Sequence, residues 1–115
     1  MATAVLFIGW DRPLPGVDSK KAFGHVMTEV VPHLRKLEGK AFERMDMIGL
    51  TAHGGDINGF ILLHGERAKL DELRRTDDFE AVVMKLDDMF GGLAVVPGVN
   101  EQGIQAVMNR LQKRG

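Results

Sequence analysis

The chain has 115 residues, with 15 Lys and Arg against 16 Asp and Glu, and a net charge of -1. That length suits one domain spanning 1–115, able to bury roughly two-thirds of its unfolded surface without a staple, and the balanced charge offers no electrostatic footprint for nucleic acid or an anionic membrane. No cysteine is present, which excludes disulfides, thiol nucleophiles and thiolate metal sites and makes the reducing cytoplasm the expected compartment.

In chain order, Ala2 to Gly9 is apolar but meets Trp10-Asp11-Arg12 too early for a signal peptide or a membrane span. It reads as a first strand. Val5-Leu6-Phe7-Ile8 is apolar at every position, so both faces of that strand need cover. A loop punctuated by Pro13, Pro15 and Gly16 follows, and Asp18 or Ser19 can cap a helix expected to run to about Glu38. Phe23, Val26, Met27, Val30, Leu34 and Leu37 form its apolar stripe, and Gly39 is placed as its stop. Pro32 removes an interior amide, which predicts a kink.

Ala41 to Leu50 makes a second strand of mixed polarity suited to an edge, and Thr51 to Gly59 a glycine-rich reversal leading to a third strand, Phe60 to His64. Leu70 and Leu73 mark a short charged helix. Thr76 looks like the cap of another, with Asp77 and Asp78 set favourably against its dipole, an apolar stripe from Phe79 to Phe90, and Gly91-Gly92 at its end. Leu93 to Val96 is a fourth strand stopped by Pro97-Gly98. Ile104, Val107, Met108 and Leu111 make a final amphipathic helix.

The order β-α-β-β-α-β plus a C-terminal helix is the split βαβ, ferredoxin-like arrangement, an α+β fold with a four-stranded antiparallel sheet. Strands one and three are expected side by side and parallel, with two and four at the edges and the long helices on one face. The uncovered face is still apolar, which predicts a homodimer of two sheets packed face to face around a two-fold axis.

At this point the pattern resembles the dimeric α+β barrel superfamily, whose members include small monooxygenases, muconolactone-isomerase-like and YCII-like proteins. The likeness covers roughly Ala4 to Val99 and rests on element order and on Thr51 to Leu73, with its glycine-rich hairpin, a strand ending at His64-Gly65 and a charged helix. It implies a ligand site between sheet and helices. Gly9-Trp10-Asp11-Arg12-Pro13 with His53-Gly54-Gly55-Asp56 also looks like a group of small uncharacterised bacterial proteins.

Histidines are the first candidates for chemistry. His25, Glu29 and His33 share metal-like spacing, but at about 100° per residue they fall off the apolar stripe and should face water. His53 and His64 flank the reversal. A tight Asn58-Gly59 turn sets them opposite each other, whereas a wide loop over His53 to Asn58 slides His64 towards Asp46; the breakers Gly54-Gly55 favour the wide loop. With strands one and three parallel, Trp10, Asp11, Arg12 and His64 share one end of the sheet as the candidate pocket, with Glu43 and Arg44 nearby. His53 and Asp56 rank second at the opposite end, roughly 20 Å away. No metal site and no cofactor is expected.

Two functions fit. The first is a homodimer that binds a small organic molecule or acts as an accessory protein, with no nucleic acid or membrane partner. The second is a cofactor-independent enzyme of the oxygenase or isomerase type, with His64 or Asp11 as base and Arg12 holding an anionic substrate.

Overall fold

The computed structural model describes residues 2–51 and 55–114. Its elements follow in the order β1 (Ala4–Trp10), α1 (Ser19–His25), a π-helical turn (Val26–Val30), α2 (Val31–Arg35), β2 (Arg44–Gly49), β3 (Gly59–Gly65), α3 (Arg67–Arg74), α4 (Asp77–Met89), β4 (Ala94–Val99) and α5 (Glu101–Arg114). The four strands form one sheet in the order β2-β3-β1-β4, antiparallel throughout. This is the ferredoxin-like α+β fold, with β2 and β4 at the edges.

One expectation fails here. β1 and β3 are neighbours but run antiparallel, with Val5 opposite His64 and Trp10 opposite Gly59. The reason is topological: β1 and β2 share a direction because a helix joins them, and the hairpin between β2 and β3 then reverses β3 against both.

Alternation along β1 decides where the core lies. Ala4, Leu6, Ile8 and Trp10 are buried against the helices with Met45, Ile61 and Leu63 from the neighbouring strands. Val5 and Phe7 point the other way with Phe60, Leu62, Ile48 and Val96, and none of these is buried. Phe7 and Phe60 stack at 5.2 Å on that uncovered face. Gly59 has no Cβ because the Trp10 indole lies across it, 2.9 Å from where a Cβ would stand.

The first helical segment differs from its expected stripe. Its buried positions are Ala22, Val26, Val30 and Leu34, a strict spacing of four, while Phe23 and Met27 are exposed. A spacing of four stays on one face only if the helix is locally wide, and the π turn at Val26–Val30 supplies that width. It sits immediately before Pro32, where an amide is missing, so the expected disturbance takes the form of a π turn. The helix ends at Arg35, and Gly39 (φ 86) follows in the left-handed region.

β4 runs through Pro97-Gly98, where a stop was expected, pairing Leu6 with Pro97 and Val5 with Gly98. An edge strand turns alternate amides away from its single partner, so proline is tolerated there. Thr76 caps α4 as expected, its hydroxyl accepting from Phe79 N at 3.3 Å. Asn100 does the same for α5, accepting from Gly103 N at 2.9 Å while donating to Ala2 O at 2.7 Å. Among the described residues no helix is long and apolar enough to cross a membrane.

Candidate functional site

The uncovered sheet face is apolar except at one corner. There Arg44 pairs with His64 across β2 and β3, and Asp46 lies diagonally between them on the same face. His64 Nε2 is 3.0 Å from Asp46 Oδ2, and Arg44 Nη1 donates to the two carboxylate oxygens at 2.9 and 3.2 Å. The β2–β3 register creates this group. It pairs Gly49 with Gly59, and Leu50 N donates to Asn58 O at 2.9 Å, so the reversal is wide and His64 meets Asp46 as the wide-loop reading expects. His53 itself lies outside the described residues.

The three side chains differ in exposure. His64 is 10% exposed, whereas the side chains of Asp46 and Arg44 are 42% and 61% exposed. A cleft of about 340 Å³ opens beside them, lined by Ala2, Arg44, His64, Asn100, Glu101 and Gln102. The hydrogen bond from the His64 ring holds the Asp46 carboxyl below its ordinary 3.8, the Arg44 charge adds to this, and partial removal from water opposes it. An imidazole oriented by a carboxylate can hold or exchange a proton with a bound molecule, and Arg44 favours an anionic or electron-rich group.

The four residues expected to share a pocket do not come together within one subunit. Because β1 and β3 are antiparallel, Trp10, Asp11 and Arg12 stand at the opposite end of the sheet from His64. Trp10 is a core residue, tilted against Phe90 with ring centroids 5.6 Å apart. Asp11 accepts from Asn58 Nδ2 at 2.8 Å, and the Asp11 amide and the Arg12 carbonyl exchange backbone hydrogen bonds with Gly91. That segment is a strap tying the end of β1 to the hairpin and to the end of α4. Asp56 is exposed at the same hairpin end.

His25 and His33 are half-buried where the stripe predicts water-facing positions, because the buried face runs through Ala22, Val26, Val30 and Leu34 and each histidine flanks it three residues after Ala22 or Val30. With Glu29, Asp78 and Lys85 they line a shallow groove between α4 and the first helical segments. Among the described residues no three His, Asp or Glu side chains stand close enough to hold a metal ion. Asp46 and Arg44 were the members of the corner that spacing along the chain did not single out as a site. Their signal was the register: in a wide hairpin, residues 44, 46 and 64 must share one face.

No family model matches the chain, and no curated protein does. Solved structures do. A crystal structure of an ethyl tert-butyl ether D (EthD) family protein from Bacillus halodurans superposes with TM-score 0.68 at 16% identity, over 84% of this chain and 96% of that one. A dimeric protein of unknown function and ferredoxin-like fold from Bacteroides fragilis superposes with TM-score 0.62 at 13% identity, over 84% and 96%. At such identities the likeness establishes the fold alone, the ferredoxin-like one that the Bacteroides fragilis protein's description also names.

Proposed function

We propose that the chain acts as a homodimer, closed sheet against sheet, that binds a small organic molecule in the cleft beside His64. The observation that carries this reading is the corner itself: a nearly buried His64, hydrogen-bonded to Asp46, lining a cleft at the edge of an otherwise apolar sheet face. Val5, Phe7, Ile48, Phe60, Leu62 and Val96 together make a contiguous apolar surface of the kind monomers seldom leave bare. A dimeric neighbour of the same fold supports a second copy as its cover. Arg44 with His64 suits a carboxylate, enolate or phenolate.

Benzoate tests this as the anionic probe and benzyl alcohol as the neutral one, followed by amide shifts in labelled protein. Shifts are expected at Ala2, Arg44, His64 and Asn100 with benzoate, stronger than with benzyl alcohol and lost in His64→Gln. Shifts confined to other residues, or none with either probe, overturn the assignment.

A second reading rests on the Asp46–His64 hydrogen bond. A base so oriented fits a cofactor-independent enzyme that moves a proton on a small carbonyl substrate. Protein-catalysed deuterium uptake into acetylacetone, lost in His64→Gln but kept in Asp11→Asn, supports this reading. Uptake no faster than in buffer removes it.

A further inference from the structure

α5 begins at the His64 end of the sheet, where Asn100 N donates to Thr3 O and Gly103 is buried against Thr3 and Val99. Beyond that first turn Val107 is half-buried, and the rest of its apolar side lacks cover among the described residues. Ile104, Met108 and Leu111 are 51%, 47% and 53% exposed, at the spacing of one helix face. The molecule is correspondingly long, 53 Å against 19 Å in its shortest dimension, with a radius of gyration of 15.6 Å where a compact chain of this length has about 13 Å. At the other end of the sheet, the β2–β3 reversal exposes Leu50 and Ile57.

Charge divides in the same way. α5 closes on Arg110, Lys113 and Arg114. The hairpin end carries Asp56, and α4 finishes there with Asp87 and Asp88 in its last turn, against its own dipole. Neither Asp87 nor Asp88 has an ion pair among the described residues. Arg12 is exposed at that end too, and Asp11, bonded to Asn58, adds to the acids.

Two limiting two-fold axes close a pair of sheets face to face. An axis along the strands sets each α5 beside the partner's α5, base against base, and hairpin beside hairpin, acid against acid. An axis across the strands sets each α5 beside the partner's hairpin, with apolar against apolar and base against acid. Four strands place the outer two only about 14 Å apart, so sideways offset does not separate the pair.

We infer that α5 of each protomer is an arm lying along the β2–β3 hairpin of a second copy of this chain, with Ile104, Met108 and Leu111 against that copy's Leu50 and Ile57. The inference rests on the sheet-to-sheet reading above and adds the direction of the axis.

Because the chain has no cysteine, Ile57→Cys with Met108→Cys introduces a single pair. Within one protomer the two positions lie beyond opposite ends of a strand about 20 Å long, too far for a disulfide, whose Cα atoms stand about 4–7 Å apart. Mild oxidation of I57C/M108C is expected to give a reduction-sensitive covalent dimer that neither single variant forms to a comparable extent. If I57C/M108C folds poorly by circular dichroism, L50C/L111C reads the same contact. No cross-link in a protein whose light-scattering mass is dimeric overturns the arm and leaves the sheet pairing standing. Self-linking of M108C alone overturns it in favour of the axis along the strands. A monomeric mass for the unmodified chain instead overturns the sheet pairing on which the arm depends. As an independent arm, Arg110→Glu with Lys113→Glu is expected to weaken the dimer about tenfold at low salt, with recovery on adding Asp87→Lys and Asp88→Lys. An unchanged dimer constant contradicts the arm.

Discussion

His64 on β3 and Asp46 on β2 stand 3.0 Å apart on the face of the sheet turned away from the helices. Their pairing makes a pH prediction with a definite sign. The folded-state pKa of Asp46 lies below its ordinary 3.8, chiefly through the His64 hydrogen bond. Its contribution to stability is therefore fully present above about that ordinary value and is lost as pH falls through the lower folded-state one. Carbon-detected titration should show Asp46 protonating below 3.8 and moving back up in His64→Gln. An unchanged midpoint in that variant means the hydrogen bond does not set it.

Phe7 and Leu62 sit on the two central strands, on the uncovered face. Neither belongs to the buried cluster, which lies on the helix side. Leu62→Arg should leave circular dichroism and thermal unfolding of the protomer close to the parent while halving the solution mass. A dimer that survives this change does not use the sheet.

Gly103 sets two effects against each other. Alanine in a helix interior is favoured over glycine by about 1 kcal/mol, yet a Cβ here collides with the Thr3 carbonyl oxygen and stands 2.7 Å from Val99 Cβ. Backbone oxygen cannot move aside as a flexible side chain can, so the collision should win. Gly103→Ala is expected to lower the urea midpoint and to increase amide exchange along α5. Stabilisation would mean that α5 shifts freely on β4.

The caps give a smaller prediction. Thr76→Ala removes the acceptor for Phe79 N at the start of α4 and should cost about 1 kcal/mol. Asn100→Ala removes both the Gly103 cap and the tie to Ala2, so it should cost more than Thr76→Ala in the same urea measurement. Equal or reversed costs contradict the anchoring role given to Asn100.

Much of this architecture is legible from residue pattern. Continuous apolar runs at Val5–Ile8 and Phe60–Leu63, the cap at Thr76 and the glycines around the reversal lead to the right elements in the right order. Strand direction was a different matter, because hydrophobic pattern is silent about it and only the connection lengths decide. That single inversion separates His64 from Trp10, Asp11 and Arg12. The first helical stripe is legible at Val26, Val30 and Leu34 but not at its start, where Ala22 is buried and Phe23 and Met27 are exposed, because a π turn has no residue signature beyond Pro32 and a spacing of four. The corner at Arg44, Asp46 and His64 depends on register, and glycines that open a loop do not by themselves say where pairing resumes.

The account stands on a sheet that shelters one face with its own helices and the other with a second copy of the chain. Sedimentation equilibrium of the unmodified protein at micromolar concentration measures this directly. The account predicts a mass of twice 12.7 kDa. A species of 12.7 kDa across that range, with Phe7, Phe60 and Leu62 open to water, contradicts it.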